Sequence, residues 1–274
     1  MPRPLFRRHD ANTAGRDFVV GDIHGHFYLL EALLTHVAFD ERADRVFSVG
    51  DLVDHGPECE RTSEFLLKPW FNAIRGNHEQ MLLRGAHIVD WAPQDMRAAS
   101  LWISNGGDWF FRMSLGDGES LYCDIQMLPL AAEVALPDGG TAGLVHADVL
   151  ADSWAAVRAC LTDESPNPDF ARSIEHLVWS RSRANDVLGL VSEGSSGGTR
   201  AGDLSVSDID VVFFGHTSMP LPARAGNTRW IDSGVSRGGS LSLAELAVDG
   251  HVWSMTTDCL SVTQGWTTQA AEDT

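Results

Sequence analysis

Apolar runs that stop abruptly at a glycine punctuate this chain. Phe18-Val19-Val20-Gly21-Asp22-Ile23-His24-Gly25-His26 has that design. So do Val46-Phe47-Ser48-Val49-Gly50-Asp51-Leu52-Val53-Asp54-His55-Gly56, Phe71-Asn72-Ala73-Ile74-Arg75-Gly76-Asn77-His78-Glu79 and Val211-Val212-Phe213-Phe214-Gly215-His216-Thr217. A short apolar run bounded by glycine predicts a buried strand running into a tight turn. The residues after each glycine are Asp, His or Asn, which cost stability at a strand end and therefore need a reason. Four strand ends are expected to converge on one site.

Between the first two runs, apolar residues at 27, 30, 34 and 37 predict a helix with one face on a sheet. Strand, helix and strand at 45–49 make a βαβ unit and a parallel sheet core. Glu58–Leu67 predicts the next helix, 71–74 the third strand and 78–86 the helix after it. The Trp- and Phe-rich stretch 90–124 predicts helices over the site, with Trp102 and Trp109 as a cover for the pocket. Strands are expected at 131–136, 141–145, 210–214, 228–231, 240–248 and 251–255, without long helices between them. The fold class expected is α/β, a layered sandwich of two mixed sheets flanked by helices, with a more antiparallel second half. One domain is expected over 1–274. Its Arg-rich lead-in 1–16 and polar tail 264–274 should be flexible, and the Gly/Ser-rich stretch 185–207 a mobile loop.

Composition narrows the function. The 274 residues are 43% hydrophobic, ample for a large core. A net charge of -18, with 38 acidic against 20 basic residues, disfavours nucleic acid and favours divalent cations. Cys59, Cys123, Cys160 and Cys259 lack the spacing of a zinc ribbon or disulfide scaffold and read as reduced thiols. No apolar run approaches the ~20 residues of a membrane span, and the basic Met1–Arg8 is not followed by a signal-peptide core. A cytoplasmic protein is expected, its oligomeric state open.

Carboxylate, imidazole and amide oxygen together serve divalent ions such as Mn²⁺, Fe²⁺ or Zn²⁺. Asp22 and His24 can hold one ion and Asn77, His146 and His216 a second, with Asp51 bridging. Two metals ~3.5–4 Å apart hold the attacking and leaving oxygens of an in-line phosphoryl displacement. A leaving alkoxide needs a proton, which His78 can donate, paired with and oriented by Asp54. Arg181 can supply a bidentate fork to the phosphate.

Gly-Asp-Ile-His-Gly, Gly-Asp-Leu-Val-Asp-x-Gly, Arg-Gly-Asn-His-Glu, His146 in Val145-His146-Ala147-Asp148, and Phe-Gly-His-Thr occur here in that order. Together they resemble the phosphoprotein phosphatase family of calcineurin-like metallophosphoesterases, in its bacterial and phage branch. The resemblance runs from about Phe18 to Leu243 and includes Trp70-Phe71, Asn105-Gly106-Gly107, Trp179 with Arg181, and Ile231-Asp232-Ser233-Gly234. It implies a β-sandwich flanked by helices, a dinuclear centre often active with Mn²⁺, and hydrolysis of phosphoserine and phosphothreonine. Phosphotyrosine and small aryl phosphates are further implied substrates.

This chain departs from the family pattern at His55, where an Arg usually clamps phosphate. An imidazole offers fewer donors and is cationic only near or below ~6.5. Arg75 reads equally as a structural ion pair or a phosphate contact, Arg183 as a solvated cation, and His26 as lining. His9, His36, His87, His176 and His251 read as ordinary hydrogen-bonded residues. Two other functions compete. A dinucleoside tetraphosphatase uses the same metal architecture on a phosphoanhydride, but in that branch the third motif tends to read Leu-Gly-Asn-His-Asp. A silent phosphate-binding regulator would have lost donors that are all present here.

Overall fold

The structure is a computed structural model that describes residues 5–86, 95–163, 168–193, 204–259 and 261–268. Its first half runs β1 (Phe6–His9), β2 (Asp17–Val20), α1 (Phe27–His36), β3 (Arg45–Ser48), α2 (Thr62–Leu66), β4 (Phe71–Ala73) and α3 (Asn77–Gly85). Helices α4 (Met96–Ser104) and α5 (Leu115–Gln126) follow, then β5 (Ala131–Ala135) and β6 (Thr141–Val145). Helices α6 (Trp154–Thr162), α7 (Phe170–Trp179) and α8 (Ser182–Glu193) precede β7 (Val211–Phe214). The chain closes with β8 (Ala223–Ala225), β9 (Thr228–Trp230), β10 (Ser240–Glu245), β11 (Val252–Thr256), β12 (Val262–Gln264) and β13 (Thr267–Thr268).

One sheet has the order β1-β5-β6-β7-β9-β8-β13 and the other β12-β11-β10-β2-β3-β4. Both mix parallel and antiparallel pairs. Successive side chains of a strand point to opposite faces, and the core follows that alternation. Val19, Phe47, Val211 and Phe213 pack between the sheets. Phe18, Val20 and Val46 face the other way, with Phe27 and Leu30 of α1. On the far side, Val212 and Phe214 meet Trp154, Val157 and Leu177 of α6 and α7. Every inner strand is thus covered on both faces, which is why the sequence shows unbroken apolar runs.

Strands β2, β3 and β4 run parallel with Val20, Ser48 and Ala73 in register, so their C-terminal ends lie at one edge of the sheet. In the other sheet β6 and β7 also run parallel, with Leu144 beside Phe213. The loops leaving these five strands carry Asp22, Asp51, Asn77, His146 and His216. Such strand ends are where open α/β sheets bind ligands.

Four expectations need correcting. The lead-in is not simply loose: residues 6–9 form β1, an edge strand paired in parallel with β5. Phe6 packs on Trp154 at 6.1 Å between ring centroids and Arg8 meets Glu133 at 3.3 Å. Secondly, among the described residues three helices intervene between β6 and β7. Trp154, Val157 and Leu161 recur at helical spacing beneath an N-cap in which Ser153 Oγ accepts from Ala156 N–H. Thirdly, the first part of the stretch expected as a mobile loop, residues 185–193, belongs to helix α8, anchored through buried Ala184 and Val187; residues 194–203 lie outside the described residues. Fourthly, the tail pairs as far as β13, on β8; His87 and residues 269–274 lie outside the described set. Among the described residues no helix is long and apolar enough to cross a membrane.

Candidate active site

The turns after the strands are built from strained backbone. His24 (φ 45°), Asp51 (φ 51°), Asp54 (φ 71°), His55 (φ 71°) and His216 (φ 63°) all occupy the left-handed region. L-residues avoid it, and outliers of this kind gather at functional sites. Glu79 fastens two turns together, its carboxylate accepting the N–H groups of Asp51 (2.9 Å), Leu52 (2.7 Å) and Gly76 (2.7 Å). Glycine permits the closest approach. A Cβ on Gly76 would lie 2.1 Å from Asp51 Oδ1, and one on Gly215 would lie 2.1 Å from Asp22 Oδ1.

The donor atoms converge in two groups that share Asp51. Asp22, His24 and Asp51 have ligand atoms within 4.8 Å of one another, as do Asp51, His146 and His216. His24 Nδ1 sits 2.9 Å from Val53 O, which turns Nε2 toward Asp51 Oδ2 at 3.7 Å. His146 Nδ1 meets Val49 O at 2.8 Å, and its Nε2 lies 2.8 Å from Asn77 Oδ1 and 3.3 Å from Asp51 Oδ1. His216 brings Nδ1 to the same Asn77 oxygen at 2.8 Å and Nε2 to Trp179 O at 3.1 Å.

Asp22 tests whether this cluster suits a cation. Its Oδ2 accepts the His216 N–H at 2.9 Å, while Oδ1 is buried with no hydrogen-bond partner among the described residues. An orphaned buried carboxylate oxygen is costly unless a cation meets it. Burial, followed by the charges of Asp232 and Asp51, raises the Asp22 carboxyl well above its ordinary range. Burial would raise Asp51 too, but His146 and His78 outweigh it and hold that carboxyl well below. Burial, then the neighbouring His78, lowers His24 to about 3; burial, then His146, lowers His216 to about 3. Neutral imidazoles beside crowded carboxylates are a donor set that fits divalent ions.

His78 lies beside this cluster. Its Nδ1 is 2.7 Å from Asp54 Oδ2, and its Nε2 is 3.9 Å from Asp51 Oδ2. Burial opposes a proton there, yet Asp51, the Asp54 hydrogen bond and the Asp54 charge raise the imidazole to about 9. Asp54 is fully buried and accepts two indole N–H groups, from Trp102 (3.2 and 3.1 Å) and Trp109 (2.7 Å). These indoles, expected as a cover for the pocket, are bonded to the buried carboxylate. His55 is exposed, its ring 5.1 Å from His24 and 5.2 Å from His78. Arg181 is exposed, and its charge reaches His216; Arg75 is buried, its N–H bonded to Pro129 O at 2.7 Å. His26 is half-buried with Nδ1 3.2 Å from Ile23 O.

Some parts escaped the sequence reading. Arg183 is no solvated cation: it is buried, with Nε 3.0 Å from Asp148 Oδ1 and a bond to Leu204 O at 2.8 Å. Glu79 and Asp232 sat within quoted motifs but had no assigned role. Asp232 accepts from Gly234 N–H and Ser218 Oγ, both at 2.8 Å, and adds negative charge beside Asp22.

Comparison with known proteins agrees with this geometry. The family described as calcineurin-like phosphoesterase matches residues 18–220. Serine/threonine-protein phosphatase 1 of Salmonella typhimurium is 32% identical over 251 residues, covering 89% of this chain and 98% of that protein. Serine/threonine-protein phosphatase 2 of Escherichia coli is 28% identical over 252 residues, covering 90% and 100%. A crystal structure provisionally assigned as a diadenosine tetraphosphatase shares the fold, with a TM-score of 0.57 at 21% identity, covering 95% of this chain and 98% of that one. The chain belongs to the calcineurin-like phosphoesterases, hydrolases that work with divalent metal ions.

Proposed function

We propose that this enzyme is a cytoplasmic phosphomonoesterase whose main substrates are phosphoserine and phosphothreonine in proteins, with phosphotyrosine and small aryl phosphates also accepted. Residues 1–274 act as one catalytic domain. Two divalent ions, Mn²⁺ first and Fe or Zn as alternatives, are held by Asp22 and His24 on one side and by Asn77, His146 and His216 on the other, with Asp51 common to both. Bound there, the ions neutralise phosphoryl oxygens and acidify the attacking water.

The protein's own groups do the rest. Asp54 accepts from His78 Nδ1, which leaves Nε2–H to protonate the departing serine or threonine oxygen. The two indoles fix Asp54 and hence the plane of the His78 ring. Arg181, His55 and Arg75 are the proposed phosphate contacts, the first two exposed and Arg75 buried. The observation that carries the reading is the 2.7 Å His78–Asp54 pair beside Asp51, because an alkoxide leaving group needs such a donor. The identity over most of the chain with two bacterial serine/threonine phosphatases supports the substrate class.

The test is hydrolysis of p-nitrophenyl phosphate and a phosphothreonine peptide by metal-stripped protein, with Mn²⁺, Zn²⁺, Mg²⁺ or Ca²⁺ restored and Asp51→Asn as control. Mn²⁺-dependent turnover absent from the control is the expected result; no turnover with any metal would overturn the reading. A second reading, cleavage of diadenosine tetraphosphate, is favoured by His55 in the place of the family's arginine. Preferential turnover of the dinucleotide over the phosphopeptide would establish it.

A further inference from the structure

His55 does more than leave an arginine missing. Its ring completes a near-equilateral triangle of imidazoles, with centroids 5.1 Å (His24–His55), 4.7 Å (His24–His78) and 5.2 Å (His55–His78) apart. One ring nitrogen from each lies within 4.8 Å of the others. We infer that His24, His55 and His78 form an alternative seat, sharing His24 with the Asp22–Asp51 group, for a borderline transition ion such as Zn²⁺ or Cu²⁺, whose occupation switches the enzyme off.

Orientation supports the seat independently of proximity. Imidazoles that bind metals generally donate their other ring N–H to a carbonyl or carboxylate, which leaves a lone pair aimed at the ion. His24 Nδ1 lies 2.9 Å from Val53 O and His78 Nδ1 lies 2.7 Å from Asp54 Oδ2, so both rings present Nε2 to the common space. His55 sits in a left-handed turn (φ 71°) and packs beside Gly106. A Cβ on Gly106 would come within 2.9 Å of His55 Nδ1. Since His55 is exposed while His24 and His78 are buried, the seat opens to solvent through His55.

The chemistry of this triangle differs from that of the carboxylate groups beside it. Three imidazole nitrogens select Zn²⁺, Cu²⁺ or Ni²⁺, whereas oxygen-rich sites suit Mn²⁺ and Mg²⁺; His78 releases its Nε2 proton to solvent when the ion takes its place. Zn–N bonds of about 2.0–2.1 Å bring three imidazoles around one ion with small ring movements from the present spacing. An imidazole nitrogen bound to metal has no proton to give, so His78 would lose its role as donor. His24 would meanwhile be drawn away from Asp22 and Asp51. The inhibitory consequence rests on the proposed function; the binding itself does not.

The experiment counts Zn²⁺ ions bound per chain, by equilibrium dialysis of Mn²⁺-loaded protein, for the parent, His55→Arg and His55→Asn. Asparagine tolerates the left-handed backbone, so a loss shared by both variants is not a folding defect. The expected result is a Zn²⁺ ion that both variants bind at least about 10-fold more weakly. Loss of p-nitrophenyl phosphate turnover should track that ion in the parent only. Equal Zn²⁺ stoichiometry and affinity in all three proteins would overturn the inference, as would Zn²⁺ uptake matched by the same Mn²⁺ loss in each. If no phosphoester is turned over at all, the functional reading fails, and the dialysis still decides the seat.

Discussion

Trp109 donates its indole N–H to Asp54 Oδ1 at 2.7 Å, so the carboxylate that orients His78 is itself fixed by a residue 55 positions later in the chain. Trp102 adds a second indole on the same carboxylate. The proposed proton donor therefore stands on a buried network assembled from β3's loop, α3, α4 and the turn after α4. Full satisfaction rigidifies such a network, and partial satisfaction is costly.

Trp109→Phe keeps the ring's bulk and removes the donor. The loss of one buried hydrogen bond to a carboxylate should cost about 1.5–3 kcal/mol of stability. In a thermal melt this reads as a lowered Tm. Turnover of p-nitrophenyl phosphate should fall through kcat, with KM little changed, because the lost hydrogen bond is to Asp54, the partner of His78. A raised KM at unchanged kcat would contradict a role through His78.

Asp54→Asn tests the pairing by pH. His78 must be protonated to act, so kcat declines as pH rises through its pKa. In the metal-free protein burial opposes that proton, and Asp51 with Asp54 raises the imidazole to about 9. Divalent ions offset the charge of Asp51, which leaves Asp54 as the main support of the proton. The variant removes that charge, so the alkaline limb of the kcat profile should move to lower pH. Folding is linked with the same sign. A histidine raised from about 6.5 to about 9 adds stability that is full below the lower value and lost as pH rises through the upper one. The stability gap between metal-free parent and variant should therefore be widest near pH 6 and narrow by pH 9.

Glu79→Gln should destabilise without touching the reacting groups. The carboxylate accepts from three backbone N–H groups, two on Oε2 and one on Oε1. An amide offers one oxygen, so at least one buried N–H then faces another N–H group, at a cost of about 1–3 kcal/mol. Melts of metal-free protein read this directly. An unchanged Tm would mean that the turns of Asp51 and Gly76 hold without Glu79.

Much of this was readable in the chain because the strands are covered on both faces. Continuous apolar runs ending at Gly21, Gly50, Gly76 and Gly215 gave both strand positions and the residues gathered at their ends. What stayed hidden depends on distant partners. Residues 6–9 become a strand only because β5 offers an edge, and α8 was masked by the Gly/Ser-rich composition that follows it. The indoles of Trp102 and Trp109 read as bulk, since nothing local says that their N–H groups find Asp54. Arg183 read as a solvated cation because its partner Asp148 lies 35 positions away.

Gly215→Ala isolates the role of Asp22. Glycine 215 is outside the positive-φ set, so alanine there meets no backbone penalty and acts through space alone. Its Cβ would fall 2.1 Å from Asp22 Oδ1, the buried oxygen with no partner, and 2.8 Å from a Val49 methyl. Asp22 must then turn away, and the proposed ion beside His24 loses a ligand. Metal content after dialysis against Mn²⁺ should drop by one ion per chain, with turnover falling alongside it. Gly116→Ala is the control, because that glycine is exposed in α5 with nothing within 4 Å of an added Cβ. The control should be more stable by about 0.5–1 kcal/mol and bind metal as the parent does. Full Mn²⁺ binding by Gly215→Ala would mean that Asp22 is not a ligand, and its orphaned oxygen would then need another explanation.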